Sequence, residues 1–259
     1  MARPRHGRLD AEGVLHHIIV RGIERRLIFR DDIDKARFVE RMEKAFVDTR
    51  TPCYAWALLG NHAHLLLKTG TVPLHTVMAR LLTGHAVVFN KRHHRHGQLF
   101  QNRYKSILCQ EDTYLIELVS YIHLNPIRAG IIKNLSNLSR CSYSGHAARM
   151  GRALNSWQDV DYVLRHFNAG AETARHDYLS FMQSRLTRGK RPDLTGVPMP
   201  RRWDIGSFQC VTKGLDPSVR HRVHTFRGRL GDDKKTIFSY GLPRLLLEQA
   251  QRWVYTEGR

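Results

Sequence analysis

Two seven-residue apolar runs, Cys53–Leu59 and His62–Lys68, flank the dipeptide Gly60-Asn61. Runs of that length bounded by turn residues read as strands, and a two-residue break between them reads as a tight hairpin turn. The pair commits this part of the chain to an antiparallel sheet. It also carries chemistry. His62 and His64 are separated only by Ala63, so in a strand both imidazoles project from one face, a geometry that can hold one metal ion.

The flanking segments extend the pattern. Val14–Val20 is β-branched and apolar and reads as a first strand ended by Arg21-Gly22. Asp31-Asp32 look like helix-start residues, and Phe38, Met42, Ala45 and Phe46 recur at helical spacing, which predicts a helix over 32–48. Pro73 opens a second helix through Val77, Leu81, Leu82, Ala86 and Phe89. Leu99–Leu108 reads as a fourth strand interrupted by Gln101, Asn102 and Arg103. A helix follows over Glu111–Leu124, ended by Pro126 because proline disfavours helical geometry in the residue before it. The order β-α-β-β-α-β-α predicts an α+β sandwich with an antiparallel sheet. Beyond Leu135 the texture changes: a turn at Tyr143–His146, helical patterns over 157–167 and 172–186, a basic run over Arg220–Lys235 and an amphipathic helix over 242–255. We expect one domain over 10–135 and a mainly helical, basic C-terminal extension over 136–259, with a linker near 187–203 rich in arginine and proline.

The formal charge of +19 draws polyanions, nucleic acid foremost. No apolar run reaches the length of a membrane span, so no membrane partner is expected. The four cysteines are widely spaced with no C-x-x-C, which argues against a zinc ribbon and for free thiols in a reducing, cytoplasmic setting.

Two imidazoles plus one more ligand suit a divalent first-row metal. The competing reading is a pair of hydrogen-bonded core histidines. The adjacent pairs His16-His17 and His93-His94 would point to opposite faces in a strand and make poor chelators. If 111–124 is helical, Tyr121 and Asn125 lie one turn apart on one face. A phenol, with a pKa of about 10, becomes a useful nucleophile when a metal polarises the phosphoryl group it attacks. On residue type alone Tyr121 reads more readily as a half-buried aromatic on a helix, with Tyr104 and Tyr114 as competitors, and Asn125 as a helix end before proline. Arg21, Lys68, Arg92, Arg103 and Lys105, interleaved with Phe100 and Tyr104, suit single-stranded DNA, or else a charged strand edge.

Four blocks then align in order: Gly60-Asn61-His62-Ala63-His64-Leu65-Leu66-Leu67, Phe89-Asn90-Lys91-Arg92, Gly97–Lys105, and Tyr121-Ile122-His123-Leu124-Asn125-Pro126-Ile127-Arg128-Ala129-Gly130. Together they resemble the REP-associated tyrosine transposases, single-tyrosine HUH transposases related to insertion-sequence-200-like enzymes. The resemblance covers residues 10–150 and implies a ferredoxin-like antiparallel sheet with helices on one face. It implies His62, His64 and Asn125 as ligands of Mg²⁺ or Mn²⁺ and Tyr121 as nucleophile. It also implies cleavage and joining of single-stranded or hairpin DNA through a 5′-phosphotyrosine. Arg21, Lys68, Arg92, Arg103, Tyr104, Lys105 and Arg128 are the expected DNA contacts. One nucleophilic tyrosine per chain implies successive reactions or a homodimer, in a bacterial cytoplasm near the nucleoid. Gly60 stands where relatives have proline, Ile23 where they often have asparagine, and Asn102 where glycine is frequent. A non-catalytic hairpin-binding protein that keeps the fold is the alternative.

Overall fold

The computed structural model describes residues 12–109, 111–168 and 170–187, with 111–114 by backbone alone. The expected linker from 188 onward, the basic run, the last helix and Cys210 lie outside the described residues.

The chain runs β1 (Leu15–Arg21), α1 (Asp32–Thr49), β2 (Cys53–Leu59), β3 (His62–Lys68), α2 (Leu74–Arg92), β4 (Lys105–Cys109) and α3 (Glu111–Arg128). The sheet order is β2-β3-β1-β4 with every neighbour antiparallel, the ferredoxin-like arrangement. Ile18, Val20, Trp56, Leu58, Ala63, Leu65 and Leu67 face a core shared with Phe38, Met42 and Phe46 of α1 and Val77, Met78, Leu81 and Phe89 of α2. α1 and α2 thus occupy the single helical face that was expected, and α3 lies across the other face, against β2 and β3. Cover on both sides explains why β2 is an unbroken apolar run rather than an alternating one: all seven of its residues are buried.

Two boundaries differ from the sequence reading. β4 begins only at Lys105, because Gln101, Asn102 and Arg103 are exposed bends and Phe100 meets Gly22 as an isolated bridge. α3 does not stop before Pro126 but contains it. The helix ends instead at Gly130, whose φ of +71° suits a residue without Cβ. There the amides of Gly130 and Ile131 reach back to the carbonyls of Ile127 and Pro126, at 2.9 and 3.0 Å. Tyr121 and Asn125 therefore share one continuous helix.

Residues 135–186 add four helices: α4 (Leu135–Leu138), α5 (His146–Arg149), α6 (Val160–Leu164) and α7 (Ala171–Leu186). α6 is shorter than expected because Trp157 and Gln158 serve the edge of the sheet. Gln158 accepts from Trp56 Nε1 at 2.9 Å, and Asp159 N donates to the Cys53 carbonyl. Gly145 N likewise donates to the Trp56 carbonyl, so this segment covers the outer edge of β2. Arg149, fully buried, donates to the carbonyls of Tyr54 and Val160.

A buried chain of hydrogen bonds ties α3 to α7 and α5. The Ser139 hydroxyl donates to the Leu135 carbonyl at 2.9 Å, so its oxygen accepts from His146 Nε2–H at 3.1 Å. His146 Nδ1 then bears a lone pair that accepts from the Tyr178 hydroxyl at 2.8 Å. The Tyr178 oxygen accepts in turn from His123 Nδ1–H of α3, also at 2.8 Å. One hydroxyl thus bonds one ring nitrogen of each of two imidazoles, and all three rings are fully buried. His123 packs and hydrogen-bonds here, on the side of α3 away from the sheet histidines.

Among the described residues no helix is long and apolar enough to cross a membrane, and Cys53 and Cys141 are free thiols. Replacing Tyr178 by Phe removes the shared hydroxyl and strands two buried ring nitrogens. The expected loss is about 1–3 kcal/mol of unfolding free energy, measured by urea denaturation.

Candidate active site between the sheet and the tyrosine helix

The pleat decides which side chains meet. With Ile18, Val20, Ala63 and Leu65 turned to the α1/α2 core, the alternate residues His17, Ile19, His62 and His64 turn toward α3. The β1–β3 register sets Ile19 opposite His64 and Arg21 opposite His62. Tyr121 comes down from α3 onto this face and is only 6% exposed. Its ring stands edge-on to His64 at 6.0 Å and 88° and to His17 at 6.0 Å and 75°. His62 lies 5.1 Å from His64, ring centre to ring centre. Asn125 follows Tyr121 by one turn, and its Nδ2 is buried with no hydrogen-bond partner.

His62 Nδ1 lies 2.6 Å from Asn61 Oδ1, and His64 Nδ1 lies 2.9 Å from His17 Nε2. Both sheet histidines thus make their side-chain hydrogen bonds through Nδ1, which leaves the Nε2 atoms for a ligand. The oxygen and nitrogen ends of an amide are nearly isosteric, so Asn125 can offer an oxygen where it now buries a nitrogen. Two imidazoles and an amide oxygen fit a divalent ion of the Mg²⁺ or Mn²⁺ kind. Among the described residues no three His, Cys, Asp or Glu side chains converge on one ion. His17 joins the group by a hydrogen bond to His64, not by facing a shared centre.

Burial is the leading cause that keeps these rings neutral. It pulls His17 down to about 3, helped by Lys105, and His62 down to about 4, helped by Arg21. His64 falls well below its ordinary value through burial and then through His17, His62 and Arg21. Neutral imidazole is the form a metal needs.

The expected DNA contacts separate into groups. Arg21 and Lys105 sit on the histidine face of the sheet, and burial followed by Arg21 lowers Lys105. The Arg128 guanidinium lies 5.5 Å from the centre of the Tyr121 ring and donates to the Arg185 carbonyl of α7 at 3.3 Å. Arg185 in turn pairs with Glu117 of α3 at 2.9 Å. Arg103 is exposed in the turn before β4. Lys68 ends β3, roughly 20 Å from His62 at strand rise, with its ammonium 5.6 Å from the Tyr162 ring. Arg92 is held by Asp31 at 2.6 Å and Asp34 at 2.6 Å. Burial works to raise the Asp34 carboxyl, yet the Arg30 amide, His93 and Arg92 outweigh it and hold the group low. Tyr104 precedes Lys105, so the pleat sends its ring into the α2 side core, where it is 6% exposed and offers no face for a base.

The sequence reading missed two members of this site. His17 was set aside as half of an adjacent pair, although one histidine of any such pair must share the face of a neighbouring strand's histidines. Asn61 was read only as a turn residue. Its Nδ2 donates to the Arg25 carbonyl at 3.1 Å, across a turn in which Glu24 and Arg25 take positive φ and a Cβ on Gly22 would lie 2.1 Å from the Arg26 oxygen.

The α+β domain thus sets a histidine pair of its sheet against a tyrosine on the covering helix. Residues 11–125 match the family model described as "Transposase IS200 like". A solved REP-associated tyrosine transposase bound to a REP hairpin is 18% identical, with a TM-score of 0.47, covering 61% of this chain and 93% of its own. A Deinococcus radiodurans r1 crystal structure assigned as a transposase is 17% identical, with a TM-score of 0.33, covering 46% of this chain and 95% of its own. No curated protein matches the sequence.

Two outcomes follow from the electrostatics. The unfolded chain protonates its histidines near 6.5, whereas folded His62 stays neutral to about 4. Below pH 6.5 the unfolded state therefore binds more protons, and stability falls as the pH drops toward 4. Urea midpoints of the metal-free protein should decline between pH 7 and pH 5. Arg92→Ala should lower the urea midpoint in the same assay, since it strips a charged hydrogen bond from buried Asp34.

Proposed function

We propose that this chain is a single-strand DNA transposase or nickase that cuts and rejoins DNA at hairpin-bearing sites through a 5′-phosphotyrosine on Tyr121. The observation that carries the reading is the placement of the Tyr121 ring against His64, with His62 beside it and Asn125 one turn further along the same helix. The family match and the charge of +19 support DNA as the substrate.

In this reading His62, His64 and Asn125 hold the divalent ion. When bound, that ion polarises the scissile phosphoryl group and offsets charge on the departing oxygen. The Tyr121 oxygen forms a bond to phosphorus, the bond to the 3′ oxygen of the preceding nucleotide breaks, and that oxygen leaves with a proton as a free 3′ hydroxyl. The phenolic proton is given up to solvent as the bond forms. Arg128, whose guanidinium lies 5.5 Å from the centre of the Tyr121 ring, meets a DNA phosphate beside it. Arg21 and Lys105 steer and hold the phosphodiester beside the histidines, Arg103 contacts the strand at the turn before β4, and Lys68 meets the backbone further along. A phenolate is a better leaving group than an alkoxide, so a DNA hydroxyl reverses the bond and rejoins strands without a nucleotide cofactor. With one nucleophilic tyrosine per chain, exchange of two strands requires a second copy or successive reactions.

Incubation with labelled hairpin single strands and Mn²⁺, followed by a denaturing gel, tests this. A covalent protein–DNA adduct is expected for the wild type and none for Tyr121→Phe, with hairpin binding close to normal in both. Binding without an adduct in the wild type would support the non-catalytic alternative.

A further inference from the structure

We infer that Asn61 and His17 are positioning residues that set the tautomers of His62 and His64, so that both rings present a bare Nε2 to the ion. The inference rests on the metal-site reading above and concerns residues outside its ligand set.

Asn61 is fixed by its own partner. A backbone carbonyl can only accept, so the atom 3.1 Å from the Arg25 oxygen is the Asn61 amide nitrogen. The other end of the amide is then Oδ1, an acceptor, 2.6 Å from His62 Nδ1. The proton of His62 must sit on Nδ1, which leaves Nε2 with its lone pair. The turn formed by Gly22 to Arg26 thus reaches the site through one amide: the Arg25 carbonyl orients Asn61, and Asn61 orients His62.

His17 does the same for His64 from the neighbouring strand. Among the described residues, His17 Nε2 is the one hydrogen-bond partner of His64 Nδ1, at 2.9 Å, and both rings are buried. The two rings stack at 5.2 Å with 27° between planes, which holds the contact in register. If His64 Nδ1–H donates, His17 carries its proton on Nδ1, which is buried with no partner. If His17 Nε2–H donates, that orphan proton is absent and His64 carries its own on Nε2, so the metal-free fold favours this second form. A divalent cation held by His62 and His64 would need a bare His64 Nε2 and hence the first form. His17 is the acceptor that makes this form available inside the fold. Ligating imidazoles elsewhere are oriented in this way by a partner on the second ring nitrogen.

The test uses the full-length, DNA-free protein and two readouts besides activity. Ring ¹⁵N–¹H correlation spectra should show His62 protonated on Nδ1 without metal, and His64 protonated on Nδ1 once Mg²⁺ is added. Mn²⁺ titration followed by electron paramagnetic resonance should show affinity reduced about 10- to 100-fold in Asn61→Ala and in His17→Phe. His17→Gln keeps an acceptor and should restore most of the affinity, which a merely structural loss would not permit. Affinities within twofold of wild type in Asn61→Ala and His17→Phe, or a His62 proton found on Nε2, overturn the inference. The parent reading is judged separately: His62→Ala and His64→Ala should lose Mn²⁺. If they do while Asn61→Ala and His17→Phe do not, only the inference falls. If they do not, both fall.

Discussion

The register of β1 against β3 is the constraint on which the rest of this structure depends. Ile19 faces His64 and Arg21 faces His62, and because side chains alternate along a strand, a slip of one residue would send His17 into the α1/α2 core and replace it with Ile18. The apolar partners on the reverse face oppose such a slip. Ile18, Val20, Ala63 and Leu65 are all buried there, and moving them out would expose an entire layer of the core. The polar site is thus aligned by the packing behind it.

The second half of the site is held from outside the family segment. α3 is pressed between the sheet and the helices that follow it, with His123 bonded to Tyr178 and Glu117 paired with Arg185. The face of α3 that meets the histidines and the face that meets α7 belong to the same turns, since Tyr121 and His123 are two residues apart. Holding one face fixes the other. Arg128 joins the two arrangements, with its head over Tyr121 and a bond to the last turn of α7.

Much of this was readable beforehand, for reasons that can be stated residue by residue. The bounds of β2 and β3 follow from apolar runs that end at Gly60-Asn61, and α1 follows from Asp31 and the spacing of Phe38, Met42 and Phe46. Pro126 misled because a proline's usual effect on its predecessor is weaker than a helix already packed on one side and closed by Gly130 on the other. The surroundings of Tyr104 and Arg92 were not legible for a different reason. A basic or aromatic residue near a site in sequence can be turned away from it by the pleat, or held by carboxylates that arrive from another element.

The sequence by itself determined the local elements and the kinds of atoms available: a histidine pair on one strand face, a tyrosine and an asparagine one helical turn apart, and a large positive charge. These depend on spacing of four residues or fewer and on composition. Which further side chains join them was decided only by tertiary structure. His17 is 47 positions from His64 in the chain, and Asn61 is 36 positions from the Arg25 carbonyl that orients it. Contacts at that separation are set by strand register and by the path of a turn, and a linear pattern carries neither.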